Sequence, residues 1–374
     1  MNFKSIAKIV SGASITILLF FSAPASAQTY LDEYKLYQQA IEDGDPEAAL
    51  RHGRAAWQAA EEELGDHNLT GILAFNYGQQ ALYTDAEAAL EALRRADELA
   101  KAGIAELPKD DLALFLAYAD FEIDDSSRRR AANLRNILED IENSGATTTT
   151  DVAKMWLGLA LSDVQNGRYN HAKKSAPSAE AAVVSVSPED YRTRATTLIL
   201  QGIPLLVPTP RHRREIQNSL ELFETAIELF PPQKSIDDFD QILAQALAWE
   251  HAGHAAYVSD DHRGEAHPEG SYEYTLFEPR MKSAEECGIE WTNRSPPKYP
   301  PKALQRGYIG AIVVGYSLDD NDKVLEPRIL AEVPRGVFGE ITLESMKDWR
   351  LETTVLDDPQ CRKNRLTMFS FIIH

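Results

Sequence analysis

The sequence predicts a two-domain α+β protein: an N-terminal α-solenoid of helix pairs, then a small β-β-α-β domain. From Tyr30 to about Tyr257 the chain is rich in Ala and Leu and follows a helical period. After Tyr299 it alternates like strands around one helical block. We divide the chain into a leader (1–27), the solenoid (28–258), a linker (259–288) and the C-terminal domain (289–374).

The first residues have the three parts of a secretory signal peptide. Lys4 and Lys8 supply the positive start, Ile9–Phe21 the apolar stretch, and Ala25-Ser26-Ala27 the cleavage site. Because the apolar stretch is shorter than the roughly 20 residues that span a bilayer, we expect cleavage and export, with Gln28 as the mature N-terminus. The alternative is an uncleaved segment that anchors the protein in a membrane.

The chain is strongly acidic. Its net charge is −20, and loss of residues 1–27, which hold two lysines and no acidic residue, makes it −22. Such a surface repels nucleic acid and anionic lipid headgroups, so we expect neither as a partner. A well-solvated helical surface explains the acidity, and a basic protein partner is the alternative.

Internal repeats organise the helical region. The run Glu47-Ala-Ala-Leu50 recurs as Glu87-Ala-Ala-Leu90, and later copies contain small and apolar residues at similar positions. Small residues let two helices approach closely, and stacked pairs bury a face that one pair cannot cover. The clearest copy resembles tetratricopeptide repeats, which implies a solenoid that binds another protein. Its residues are Trp156, Leu159, Ala160, Gly167, Tyr169, Ala172, Ala176 and Ala179, and a further copy has Phe223, Ala226 and Pro231.

The C-terminal residues predict the order strand, strand, helix, strand. Tyr308–Leu318 alternates, a polar turn follows at 319–322, and Val324–Leu330 resumes the alternation, as in a β-hairpin. After Pro334, a helical block carries Val337, Phe338, Ile341, Leu343 and Met346 and ends at Trp349-Arg350. Leu366–Ile373 is the last strand.

This order resembles the C-terminal domain of the TonB energy-transducer family. The matching residues are Tyr299-Pro300, Ala303, Gly310, Val324, Ile329-Leu330, Phe338 and Trp349-Arg350. Two positions depart from the family pattern, since Asp322 stands where the family usually has Gly and Thr353 where a Pro often follows the Trp-Arg pair.

The resemblance implies a peptide-binding site. Domains of this family add the extended N-terminal box of an outer-membrane receptor as a strand beside their last strand, which is β-augmentation. It also implies that Tyr299, Pro300 and Lys302 lie near the entering peptide. Core packing is the alternative for Tyr299 and the favoured interpretation for Trp349. The implied edge consists of Leu366, Thr367, Met368, Phe369, Ser370 and Phe371.

We therefore expect a non-catalytic periplasmic adaptor of the TonB family. Its C-terminal domain would bind an outer-membrane receptor or another strand-donating peptide, and its solenoid another protein. If the N-terminal segment is retained, the alternative is an inner-membrane-anchored energy transducer for TonB-dependent transport. A structural protein of cell-envelope assembly is the other alternative.

The two cysteines are Cys287, just before the C-terminal domain, and Cys361, before its last strand. An even number of cysteines in an exported protein suggests a disulfide. Two free thiols, or partners elsewhere, are the alternatives.

Seven His, Asp and Glu residues between positions 251 and 267 are of the types that bind metals. Most of this group lies in the predicted linker, and no H-E-x-x-H order is present. We interpret it as a solvated helix end with incidental histidines. Because Walker, dinucleotide and G-x-S-x-G motifs are also absent, we expect no cofactor and no enzyme activity, with a metal-dependent hydrolase as the weaker alternative. The group comprises His251, His254, Asp260, Asp261, His262, Glu265 and His267.

Overall fold

The computed structural model describes residues 29–207, 213–260, 276–277, 282, 286–321, 323–351 and 358–371, without the side chains of 258–260 and 359. The predicted signal peptide and most of the predicted linker lie outside these ranges. Among the helices that are described, none is both long enough and apolar enough to cross a bilayer.

The described chain begins with a helical region and ends with a small β-rich domain, which confirms the predicted α+β class. The helices are α1 (Thr29–Glu42), α2 (Pro46–Leu64), α3 (Asn68–Ala81), α4 (Ala86–Lys101), α5 (Lys109–Ile123), α6 (Arg128–Ser144), α7 (Thr150–Gln165), α8 (Tyr169–Val186), α9 (Tyr191–Leu206), α10 (Arg213–Glu228) and α11 (Gln241–Asp260).

The sequence repeat corresponds to a repeated helix start. Asp45 precedes α2 and Asp85 precedes α4, and each side chain accepts a hydrogen bond at 3.0 Å from the backbone N–H three residues on. This is N-capping by an aspartate. Ala49 and Ala89 follow in the first turns and are fully buried where each helix packs on its neighbours. The repeated run therefore encodes both a helix start and a close helix contact.

The chain divides into two compact units, residues 1–162 and 163–374. In the first, α1 packs on α2, and α3 on α4. The second contains α8 to α11 together with the C-terminal domain. The boundaries predicted from composition, at 258 and 288, remain a prediction.

The C-terminal domain has the predicted order of strand, strand, helix and strand, with short elements added. Strands β2, β3 and β5 form an antiparallel sheet in the order β3-β2-β5, while β1 and β4 pair separately. The added elements are too short to produce a periodic pattern. In chain order the elements are β1 (Trp291–Asn293), α12 (Pro301–Gln305), β2 (Gly310–Leu318), β3 (Val324–Val333), α13 (Gly339–Met346), β4 (Arg350–Leu351), α14 (Pro359–Arg362) and β5 (Arg365–Phe371).

Strand β2 is covered on both faces, and all but one of its residues are buried. On one face Ile312, Val314 and Tyr316 join a core with Phe338 and Trp349. On the other face the sheet packs against α11 and the loop before it.

The loop before α11 is joined to the sheet by specific contacts. The N–H of Ile236 donates to Asn364 Oδ1 at 3.0 Å, and Arg328 pairs with Asp237 at 2.7 Å. Within the second unit, the last helix of the helical region is thus packed directly on the β domain.

Candidate peptide-binding edge

Strand β5 lies at one edge of the sheet and has a regular backbone. It pairs with β2 from Arg365↔Tyr316 to Phe371↔Gly310 without a register shift. Among the described residues it pairs with no other strand, so one row of its backbone groups faces away from the sheet. Such a row is able to pair with a further strand.

The opposite edge, β3, is irregular. Its pairing with β2 is shifted twice, between Val313 and Val314 and between Gly315 and Ser317. Glu326 has φ 47, in the left-handed region, and Pro327 follows it without a backbone N–H. Bulges and prolines are features that keep an edge strand from pairing with another chain. Of the two edges, β5 is therefore the one suited to strand addition.

The side chains of β5 are used in packing within the domain. Phe371 stacks on Phe338 with ring centroids 4.0 Å apart, and Phe369 packs against Trp349 at 5.6 Å. On the other face, Ser370 Oγ lies 3.5 Å from the carbonyl oxygen of His251 in α11. Leu366, Thr367 and Phe371 are buried, Met368 and Phe369 are half-buried, and Ser370 is exposed. The edge thus offers backbone groups more than side chains.

The predicted Tyr-Pro segment has one residue in contact with β5. The Tyr299 ring stands edge-on to Phe338 and Phe371, at 5.8 Å from each. Its hydroxyl donates to the carbonyl oxygen of Tyr308, and burial raises the pKa of Tyr299. Pro300 precedes α12 as its cap residue, and Lys302 is exposed in α12. Tyr299 therefore supports the end of β5 from the core side.

Residues 295–372 match the family model of the Gram-negative bacterial TonB protein C-terminal domain. Over 71 residues the chain is 35% identical to Protein TonB of Yersinia enterocolitica, a match that covers 19% of this chain and 28% of that relative. The predicted resemblance is confirmed for this part of the chain. The chain spans under a third of the length of the relative it matches.

Arg294 is a candidate site residue that the sequence analysis missed. This exposed side chain borders the TonB-like domain, donates to Thr367 Oγ1 at 3.0 Å and lies over the Trp349 ring at 5.1 Å. It places a positive charge beside β5. No motif marks it, because its role depends on a strand far along the chain.

Trp349 is a core residue, as the sequence analysis favoured. It is fully buried and packs against Trp291, at 5.0 Å, as well as Phe369. Its indole N–H donates to the carbonyl oxygen of Ser295 at 3.3 Å. The residue therefore secures the segment that leads into the TonB-like domain.

The predicted disulfide is present. Cys287 and Cys361 are bonded, with their Cα atoms 5.5 Å apart, and both are fully buried in the domain core. The bond ties the start of the domain to α14, just before β5.

The predicted metal group is described only in part. Asp261, His262, Glu265 and His267, and the side chain of Asp260, lie outside the described residues. His251 and His254 lie on α11, and His254 approaches Glu224 and Glu250, two residues outside the predicted group.

Proposed function

We propose that this chain binds an extended peptide of a protein partner, and that the peptide pairs as an added strand with β5. The observation that supports this proposal is the contrast between the two sheet edges. The β5 edge keeps one register along its length, while the β3 edge is shifted twice and contains a proline.

Backbone pairing would supply most of the affinity. Each hydrogen bond that a peptide makes with the edge contributes about 0.5–1.5 kcal/mol net. The two faces of the sheet are occupied by the domain core and by α11, so the edge is the accessible route for a strand. Arg294, beside Thr367, would add a charge contact to an acidic group of the peptide.

The TonB-like match favours an outer-membrane receptor as the source of the peptide. In this proposal the mature chain acts without catalysis in the periplasm as an adaptor. Because α11 packs on the sheet, a peptide bound at β5 would be held close to the helical region, which binds a second protein.

Site-specific photo-crosslinking in cells tests the edge. A benzoylphenylalanine at Ser370, the exposed residue of β5, should crosslink to an N-terminal segment of an outer-membrane receptor. The matched control is the same probe at Leu325, which is also exposed but lies on β3. Equal crosslinking from both positions would contradict the proposal.

A synthetic peptide of the crosslinked segment then tests the binding mode. Calorimetry should show binding by the plain peptide and at least tenfold weaker binding by one that is N-methylated at alternate residues, because methylation removes backbone donors. Unchanged affinity would exclude strand addition. Crosslinking of Ser370 to a second copy of this chain would instead favour the structural, envelope-assembly role.

The N-terminus of the protein recovered from cells tests the location. A chain that begins at Gln28 in the periplasmic fraction fits the adaptor. An intact Met1 in the inner-membrane fraction would favour the anchored energy transducer.

A further inference from the structure

Three metal-ligating side chains meet between two helices, away from the β5 edge. Glu224 lies on α10, and Glu250 and His254 lie on α11. One ligand atom from each lies within 4.8 Å of the other two. His254 Nε2 is 3.0 Å from Glu250 Oε1. Glu250 is fully buried, and the other two residues are half-buried.

The helix pair holds these groups together for local reasons. Glu250 and His254 are four residues apart, so they share one face of α11. The helices approach closely at Gly253, where a Cβ atom would come within 2.8 Å of Leu220 on α10. The Phe223 and Trp249 rings stack at 6.3 Å in the same interface. The positions of the three ligands are therefore set by a tightly packed pair of helices.

The three groups supply the donor atoms that a cation binds. The Glu250 carboxylate is removed from water, and a divalent cation would interact favourably with it and with the nearby Glu224 carboxylate. The imidazole of His254 would be the third ligand. Carboxylate oxygen and imidazole nitrogen are ligands of Zn²⁺ and related first-row metals.

We infer that Glu224, Glu250 and His254 bind a divalent transition-metal cation, with Zn²⁺ as the best match. Tetrahedral bonds of about 2.0 Å separate neighbouring ligand atoms by about 3.3 Å. The 3.0 Å between Glu250 and His254 fits this spacing, and the half-buried Glu224 would close the remaining distance by a side-chain shift. Three protein ligands leave a fourth position for water or another ligand.

His251 is a neighbour of the cluster. Its Nε2 lies 3.6 Å from Glu250 Oε2. A group in this position acts on the orientation of a ligating carboxylate. The helix that carries His251 also packs against the sheet, because the carbonyl oxygen of His251 lies 3.5 Å from Ser370 Oγ. A bound cation would fix α10 against α11. This inference does not depend on peptide binding.

Zinc titration of the full chain tests the site. After treatment with a chelator, calorimetry and elemental analysis should show one high-affinity Zn²⁺ per chain, with a higher Tm. Co²⁺ should give the visible absorption of a tetrahedral site. Glu224→Gln and His254→Gln should each weaken Zn²⁺ binding at least tenfold and remove this absorption.

His52→Gln is the matched control. His52 Nδ1 lies 2.7 Å from Glu33 Oε2, the same kind of imidazole–carboxylate pair. Within the described part of the chain, no further metal-ligating side chain joins that pair. His52→Gln should keep both the stoichiometry and the affinity. Circular dichroism in chelator would confirm that each variant is folded.

The inference is overturned if the wild-type chain binds no Zn²⁺, a result that needs no variant. It is also overturned if His254→Gln binds as tightly as wild type, or if His52→Gln loses as much affinity as His254→Gln. The 3.0 Å contact between His254 and Glu250 would then be a hydrogen bond that forms without a metal.

Discussion

Ile236, in the loop before α11, packs against Gly315 of the central strand β2. A Cβ atom at Gly315 would lie 2.5 Å from Ile236 Cγ2, closer than van der Waals contact. Gly315→Ala should therefore lower the free energy of unfolding by about 1–3 kcal/mol through overpacking. Chemical denaturation would measure the change.

A double-mutant cycle tests whether contact with Ile236 causes the loss of stability in Gly315→Ala. Ile236 is buried, so Ile236→Ala alone should cost about 2–4 kcal/mol by leaving a cavity. In the double variant the new methyl group occupies part of that cavity, and the combined loss should be smaller than the sum of the two. Strict additivity would show that these residues do not pack together in solution.

The Cys287–Cys361 disulfide should be a major source of stability. Its two cysteines are 74 residues apart, and a loop of that size corresponds to about 4 kcal/mol at most in the chain-entropy account. Replacing both residues by Ala should lower the urea midpoint. Reductant should lower the midpoint of the wild-type chain but not that of the variant. An equal effect of reductant on both would contradict a bond at this site.

Glu332, on the preceding strand β3, caps the N-terminus of α13 with its side chain. Its Oε1 accepts from the N–H groups of Val337, at 2.7 Å, and of Phe338 and Gly339, at 2.5 and 2.8 Å. Glu332→Ala leaves these donors without an acceptor and should cost about 2–4 kcal/mol. Glu332→Gln keeps one oxygen and should cost about half as much. Thermal unfolding would rank the two variants, and equal losses would show that the oxygen kept by Gln does not accept from these N–H groups.

Tyr299 should act mainly through packing. Tyr299→Phe keeps the ring that stands against Phe338 and Phe371 and removes only the hydrogen bond to Tyr308, so it should cost about 0.5–1.5 kcal/mol. Tyr299→Ala should cost about 2–4 kcal/mol by leaving a cavity.

Calorimetry with the peptide separates this role from direct contact. Tyr299→Phe should bind the peptide with the affinity of wild type. A tenfold loss in this folded variant would show that the hydroxyl contacts the peptide.

Asp319 should make the hairpin sensitive to acid. Its carboxylate accepts from the N–H groups of Lys323, at 2.8 Å, and Asn321, at 2.9 Å. These bonds lower the pKa of Asp319 below its ordinary value of 3.8, and the bond from Lys323 has the largest effect. The stabilisation is therefore complete above pH 3.8 and is lost as the pH falls through the lower folded-state value.

NMR titration of the Asp319 carboxyl group should give a midpoint below 3.8. Asp319→Asn should remove the part of the acid-induced fall in Tm that comes from protonation of Asp319. A midpoint at or above the ordinary value would show that the turn does not hold the ionised carboxylate.

Local patterns predicted much of the C-terminal domain. The alternation on either side of the acidic turn gave the hairpin, which the structure confirms as β2 and β3. The bounds of the predicted helix were less accurate, since α13 begins at Gly339 and ends at Met346, before the predicted end at Trp349-Arg350. Its cap comes from Glu332 on the preceding strand, and no local signal marks such a partner.

The candidate site was predicted only in part. The resemblance led to β5, and among the described residues this strand does lie at an edge of its sheet. The sequence did not predict the role of Arg294 or the meeting of His254 with Glu224 and Glu250, because each depends on side chains that are brought together from separate elements.

By itself the sequence determined the helical region, the order of strand, strand, helix and strand after it, and the class of the fold, because these follow from periodicity and capping among near neighbours. The tertiary structure alone decided that the β3 edge is irregular and that α11 covers one face of the sheet. Those features depend on contacts such as Ile236 with Asn364, which are 128 positions apart. Their energy comes from burying surfaces that fit together only in the folded chain.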